Sequence, residues 1–172
     1  MTTDTESGDA SVLVKLFGHN AWASLTLLDF CEGLSAEQLE ATAVGGYGSI
    51  RETLMHFVTA EQNYVHRVND HLPAVPMRRG EWAGFPALKA AVRWTGDELL
   101  QLARSARADT LVRERSPHSS EEYPLTTLMV QAVTHSNEHR TQIATILTQL
   151  GLEPPDLSGW KYMEVLGELK ET

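Results

Sequence analysis

Residues 125–150 read LTTLMVQAVTHSNEHRTQIATILTQL, a stretch without an internal glycine or proline. Its apolar residues recur with the period of an α-helix, and two histidines, His135 and His139, lie four residues apart. Positions i and i+4 lie one above the other on the same helix face. One sector about 80° wide on the helical wheel contains Leu128, Ala132, His135, His139, Ile143, Ile146 and Leu150. The stretch therefore predicts a long amphipathic helix whose buried face carries a pair of imidazoles.

Three further segments show helical periodicity, and glycines, prolines or polar runs separate them. The predicted helices cover residues 10–32, 49–71 and 87–106, and the helix that carries the histidine pair ends near Gly151. Ser49 and Glu52 have the spacing of a capping box, as do Ser35 and Gln38. Four helices of about twenty residues predict an all-α four-helix bundle.

Shorter segments complete the prediction of a single domain over residues 10–172. Residues 1–9 are polar and acidic, which indicates a disordered lead-in. Residues 72–86 predict a loop, and residues 109–124 predict a short ribbon or an irregular crossover. Residues 159–169 predict a short C-terminal helix.

Composition bounds the classes of function. The chain has 172 residues, of which 42% are hydrophobic, and a formal net charge of −9. No Lys/Arg-rich face indicates a nucleic-acid partner, and no apolar run is long enough to indicate a membrane span. A single cysteine, Cys31, cannot form an internal disulfide, and the N-terminus lacks the pattern of a signal peptide. These features predict a cytoplasmic protein.

The histidine pair predicts half of a metal site, because catalytic zinc sites commonly use three protein ligands and leave one position open. Helical bundles build such sites from side chains on facing helices. Periodicity alone leaves the third ligand open among the remaining histidines, which are His19, His56, His66, His71 and His118. His56 has the advantage of lying well inside a helix. The simpler alternative is a pair of helix histidines bonded to neighbouring groups, since this spacing also arises by chance.

Two segments carry a resemblance to a known family. Residues 48–61, GSIRETLMHFVTAE, resemble the second helix of the DinB-like (DinB/YfiT) family, and residues 135–151, HSNEHRTQIATILTQLG, resemble its fourth-helix pattern His-x-x-x-His-Arg-x-Gln-Ile. Residues 19–22 and 154–157, with Trp160 and Tyr162, fit the same family. The resemblance covers residues 12–162.

The resemblance implies a four-helix bundle with a crossover topology, which is frequently a homodimer. It also implies a divalent metal held by one histidine on the second helix and two on the fourth. At the matching positions stand His56, His135 and His139. Zinc or nickel is the expected ion, with iron or manganese as alternatives, because imidazole binds several divalent metals.

Some members of this family are thiol transferases that use bacillithiol, mycothiol or glutathione, and others are metal-dependent hydrolases. Three neutral imidazoles leave the ion its full charge, which acidifies a bound water or thiol. We therefore expect a small-molecule S-transferase that joins a low-molecular-weight thiol to an electrophile, with a metal-bound thiolate as the reacting group. A hydrolase that uses a metal-bound water at the same site is the alternative. A non-catalytic bundle, whose metal stabilises dimerisation or partner binding, is the third.

Several polar residues require their own interpretation. Glu61 lies near the centre of the apolar arc of the second helix, where a carboxylate needs a partner. We expect its carboxylate to hydrogen-bond to a metal-binding side chain and so to orient it, or to pair with Arg140 or another basic residue. Glu138 is expected to be solvated, Asn20 to lie in the core, and Cys31 to act as a small buried hydrophobe.

Overall fold

The computed structural model describes residues 12–70, 72–74, 76–78, 80–107, 109–115 and 120–168. The predicted lead-in at residues 1–9, His71 and His118 lie outside these ranges. In chain order, the elements are α1 (Val12–Cys31), α2 (Ala36–Leu39), α3 (Ile50–Asn69), α4 (Phe85–Ser105), β1 (Leu111–Arg115), β2 (Ser120–Pro124), α5 (Leu125–Gln149) and α6 (Gly159–Val165). The all-α prediction is confirmed, and the predicted ribbon is an antiparallel hairpin.

Local signals account for the helix ends. Ser49 Oγ accepts a hydrogen bond from the Glu52 amide, and the Glu52 carboxylate accepts one from the Ser49 amide, so the predicted capping box forms. The equivalent box at Ser35 starts α2. After α5, Gly151 has a φ of +74°, a conformation that favours glycine at the end of a helix.

The four long helices form a bundle with a crossover. Both α1 and α3 pack against α4 and α5, so α1 lies diagonally opposite α3, and α4 lies diagonally opposite α5. The core consists of two apolar clusters. One cluster contains Phe17 and Val65, and the other contains Leu27 and Phe57. α1 therefore runs from the first cluster to the second, and α3 runs from the second to the first. The two diagonal helices are therefore antiparallel.

The same comparison gives the directions of the other helices. From Leu88 to Leu99, α4 runs in the direction of α3, and from Leu128 to Ile143, α5 runs in the direction of α1. Because α3 and α4 are parallel neighbours, the connection through residues 70–84 returns along the length of the bundle. Met77 in this connection is buried, and its amide donates a hydrogen bond to Gln62 Oε1.

A layer of buried polar side chains separates the two apolar clusters. At its centre the Glu61 carboxylate of α3 accepts hydrogen bonds from Asn20 Nδ2 of α1 at 2.7 Å and from Ser136 Oγ of α5 at 2.6 Å. It also accepts one from Thr95 Oγ1 of α4 at 3.1 Å. One carboxylate therefore contacts the other three helices of the bundle, and each of the four side chains is at most 2% exposed.

A buried cation completes this layer. Arg140 on α5 donates from Nη1 to Asn20 Oδ1 at 2.8 Å and to Ser24 Oγ at 2.9 Å. Burial lowers the pKa of Arg140 to about 10, an effect that the nearby Glu61 charge opposes, so the guanidinium stays charged at neutral pH. Asn20 lies in the core as predicted and joins Arg140 to Glu61.

The predicted apolar sector of α5 needs a correction. Leu128, Ala132, Ile143 and Ile146 are buried, but Leu150, which follows the last turn, is 38% exposed. The buried face is centred on residues that the sector left out, among them Met129, Ser136, Arg140 and Leu147. As a result, His135 lies at the edge of the buried face and is half-exposed.

The contact between α1 and α4 is especially close. A Cβ atom on Gly96 of α4 would lie 2.9 Å from the Cβ atom of Ala21 on α1. The absence of a side chain at position 96 therefore permits this helix separation.

Among the described residues, no helix combines the length and hydropathy needed to cross a membrane.

Replacing Glu61 by alanine should lower the free energy of unfolding by about 3 kcal/mol or more. The change leaves the buried Asn20 and Ser136 donors without this acceptor, whereas the Thr95 hydroxyl also reaches the Val92 carbonyl. It also removes the negative charge that favours the buried Arg140 cation. Urea denaturation followed by circular dichroism measures the effect. Glu138→Ala, on the exposed face of α5, is the control and should cost less than about 0.5 kcal/mol. Equal losses in the two variants would contradict the role given to the polar layer.

Candidate metal centre

Three histidines from two neighbouring antiparallel helices converge at one edge of the bundle. His135 Nε2 on α5 lies 3.1 Å from His56 Nε2 on α3 and 3.2 Å from His139 Nε2 on α5. One ligand atom from each of the three rings lies within 4.8 Å of the others. The four-residue spacing stacks His135 above His139, and the packing of α3 against α5 brings His56 to them.

The nitrogen distances fit a shared cation better than a set of hydrogen bonds. An imidazole nitrogen carries either one proton or one lone pair in the ring plane, so His135 Nε2 forms only one well-directed hydrogen bond. Two nitrogens nevertheless approach it. Metal–nitrogen bonds of about 2.0–2.1 Å place ligand nitrogens roughly 3 Å apart, which is close to the observed separations. The three-histidine cluster is thus compatible with a divalent metal ion.

Gln142 orients the most buried of the three rings. The Gln142 side-chain oxygen accepts a hydrogen bond from His139 Nδ1 at 2.8 Å. In the neutral ring, this bond holds the proton on Nδ1 and leaves the Nε2 lone pair directed at the other two histidines. A glutamine three residues after His139 is therefore part of the site.

The environment keeps His135 neutral. Burial, together with the nearby His139 and His56, lowers the pKa of His135 to about 4, and the Glu138 carboxylate opposes this shift only in part. A neutral imidazole is the form that binds metals, so the ring is ready to act as a ligand well below neutral pH. Its Nδ1 atom is buried without a hydrogen-bonding partner among the described residues.

Aromatic rings surround the cluster. Tyr47, in the connection before α3, stacks on His56 with a centroid distance of 4.0 Å and an interplanar angle of 17°. The same ring meets His139 edge-on at 5.3 Å, and Tyr64 of α3 meets His135 edge-on at 5.9 Å. These contacts restrict the rotamers of the three histidines without using their nitrogens.

A groove of about 540 Å³ lies on one side of the cluster, with His56 in its wall. Residues 51–63 of α3 supply one wall, and Gly80, Glu81 and Trp82 of the long connection supply the other. Trp82 packs edge-on against Phe85. Trp82 thus lines the groove opposite His56.

Glu61 bonds to the residue that follows His135. Its carboxylate accepts hydrogen bonds from Asn20, Thr95 and Ser136, and Ser136 comes directly after His135 in the chain. These bonds hold α5 next to a histidine of the cluster. A role of Glu61 in orienting a metal ligand stays a prediction.

The other interpreted residues lie away from the cluster or act structurally. Cys31 is fully buried, and burial raises its pKa to about 12, so it is a small core residue and no nucleophile at neutral pH. Glu138 is exposed, and Glu52 caps α3. His19 contacts the Leu157 carbonyl through Nε2 at 2.7 Å, which anchors the segment before α6.

Sequence reasoning missed two residues around the cluster. Gln142 has a usable signal, because it follows His139 at the i+3 spacing of helical neighbours. Tyr47 has none, because it belongs to a connection whose path depends on the assembled bundle. Its place beside His56 follows from tertiary packing alone.

The helical bundle and the three-histidine cluster define an all-α protein with a candidate metal site. The model of the DinB family matches residues 1–170, and the chain belongs to this family. No curated protein matches the chain. The resemblance inferred from residues 48–61 and 135–151 is confirmed.

Purified protein should carry about one divalent ion per chain, and His56→Ala or His135→Ala should abolish retention of the ion, because two imidazoles rarely hold a metal alone. Elemental analysis after zinc loading and gel filtration measures the content. His66→Ala is the matched control on α3, since His66 lies outside the cluster. Undiminished zinc in both cluster variants would exclude these histidines as ligands.

Gln142→Ala should weaken zinc binding about 10- to 100-fold, because His139 loses the acceptor that fixes its tautomer. Competition with a chromophoric chelator measures the dissociation constant. Gln142→Glu keeps an acceptor at this position and should retain tight binding. Equal affinities of the wild type and Gln142→Ala would show that the hydrogen bond does not orient the ligand.

Proposed function

We propose that the protein is a divalent-metal-dependent S-transferase, which joins a low-molecular-weight thiol to a small electrophile. The observation that carries this proposal is the convergence of three imidazole rings beside an open groove. A fourth protein ligand would close the coordination sphere and favour a structural role. Among the described residues, the cluster contains His56, His135 and His139 alone.

The charge of the site supports thiol chemistry. Three neutral ligands do not offset the charge of a divalent ion, and such an ion supplies the positive potential that lowers the pKa of a thiol bound beside it. The surrounding rings of Tyr47 and Tyr64 exclude water from one side of the histidines. Exclusion of water strengthens the electrostatic stabilisation of a thiolate.

The groove supports a bimolecular reaction. Its volume of about 540 Å³ accommodates a small organic molecule. In the transfer, the thiol releases its proton to solvent and its sulfur forms a bond to the electrophilic carbon. The leaving group departs with the electron pair of the bond that breaks, or, for an epoxide, the ring C–O bond opens. The groove holds one of the two reactants beside the cluster, where the sulfur and the electrophilic carbon can meet.

Zinc-loaded protein should conjugate a chlorinated bimane electrophile with at least one thiol from a panel of glutathione, mycothiol and bacillithiol. Fluorescence of the conjugate gives the rate, and His135→Ala should show the uncatalysed rate only. Turnover of ester or amide substrates without any conjugation would favour the hydrolase. Metal binding with neither activity would favour a non-catalytic, metal-stabilised bundle.

We further propose that zinc or nickel is the ion and that the protein acts in a reducing compartment such as the cytoplasm. Imidazole nitrogens suit both ions. The single cysteine, Cys31, is buried and unpaired, which suits a compartment in which small thiols stay reduced.

We also propose a homodimer whose interface includes the start of α1 and α6. Val12 at the start of α1 is 79% exposed, and Trp160 and Val165 on α6 are 76% and 56% exposed. Lys15 pairs with Glu168, which brings the two segments together. A surface with several large exposed apolar side chains is typical of a protein interface.

Sedimentation equilibrium should give twice the chain mass of 19.1 kDa, and Trp160→Glu should shift the protein towards the monomer, because a charge in an apolar interface is costly. Val130→Glu, at a 63% exposed position of α5, is the control and should leave the mass unchanged. A wild-type monomer at micromolar concentration would refute the dimer.

A further inference from the structure

Arg51 lines the groove beside His56. Its guanidinium lies over the ring of Trp82, with 5.0 Å between the guanidinium carbon and the ring centroid. Its Nε atom pairs with Glu40 Oε1 at 2.7 Å. The guanidinium is thus held in a fixed orientation in the wall of the groove by an aromatic ring and an exposed carboxylate.

Arg51 and a histidine of the candidate metal centre lie in the same wall of the groove. Along the axis of α3, Arg51 lies about 7.5 Å before His56. A cationic side chain at this distance from the three-histidine cluster suits a ligand that has an anionic group at one end and its reacting group at the other.

We propose that the groove binds an organic ligand through a carboxylate at Arg51 while the reacting end of the ligand lies at His56. A planar guanidinium presents paired donors that match the two oxygens of a carboxylate. The Trp82 ring holds the plane of that guanidinium in advance of binding. This inference rests on the proposed function, in which the same ligand is one of the two substrates, and it makes Arg51 the residue that determines specificity.

Acidic side chains near the groove compete with a ligand carboxylate for Arg51. Glu40 is the nearest, and its side chain is 57% exposed, so it can turn into solvent. Glu52 is held by the Ser49 amide in the cap of α3, and Glu81 is exposed. A bound carboxylate therefore displaces Glu40 from Arg51, and Glu40→Gln should strengthen binding of a carboxylate ligand.

The test uses the zinc-loaded full chain and three probes, namely 6-mercaptohexanoate, 6-mercaptohexanol and hexanoate. Isothermal titration calorimetry compares the wild type with Arg51→Gln. Arg93→Gln is the matched control, because Arg93 is exposed on α4 and does not line the groove. Arg51→Lys, which keeps the charge but not the paired donors, is the second variant if Arg51→Gln melts at a lower temperature.

We expect the wild type and Arg93→Gln to bind the mercaptocarboxylate about tenfold more tightly than the mercaptoalcohol. Arg51→Gln should bind the two thiols equally, Arg51→Lys should show an intermediate preference, and Glu40→Gln should bind the mercaptocarboxylate more tightly. The inference is overturned if the wild type has no preference, or if Arg51→Gln weakens both thiols by the same factor.

Hexanoate separates a failure of this inference from a failure of the proposed function. If neither thiol binds but hexanoate binds in an Arg51-dependent manner, the carboxylate site stands and the thiol transferase is rejected. If both thiols bind without a carboxylate preference, the transferase stands and the role of Arg51 is rejected. If hexanoate binding is also independent of Arg51, the groove does not recognise carboxylates.

Discussion

The carboxylate of Glu61 holds the bundle in register. It lies on α3 and accepts hydrogen bonds from one side chain on each of the other three long helices. Apolar packing alone tolerates small rotations of a helix, whereas a buried hydrogen bond is lost when its donor turns away. Because Ser136 is one of the donors, the rotation of α5 is fixed one residue from His135. The geometry of the candidate metal centre therefore depends on a polar layer in the middle of an apolar core.

The helices and their ends could be predicted from the sequence because their causes are local. Periodicity placed the four long helices within a few residues of their observed bounds, and the capping boxes at Ser35 and Ser49 form as their spacing predicts. The histidine pair was placed on one face of α5 for the same reason. His56 could be assigned only through family resemblance, since periodicity gave no preference among histidines on different helices.

What could not be predicted is set by tertiary packing. The buried face of α5 is rotated relative to its apolar sector, because Ser136 and Arg140 find polar partners on other helices and so occupy core positions. A hydropathy pattern counts such residues as exposed. The groove is equally non-local. Its second wall is the connection between α3 and α4, which runs back along the bundle because these helices are parallel neighbours. The sequence of the connection does not indicate the path that it takes.

The tight contact between Gly96 and Ala21 has a mechanical consequence. The methyl group of Ala21 already occupies the space that a side chain at position 96 would need, so α1 and α4 are packed at the closest separation that these residues allow. They form the side of the bundle that is opposite to the α3–α5 edge, where the histidines meet. If a bound cation changes the spacing of the imidazoles, we expect the change at the α3–α5 edge and not at the close α1–α4 contact. The α1–α4 side is thus the closely packed side of the bundle, and the helices that carry the imidazoles, α3 and α5, form the opposite side.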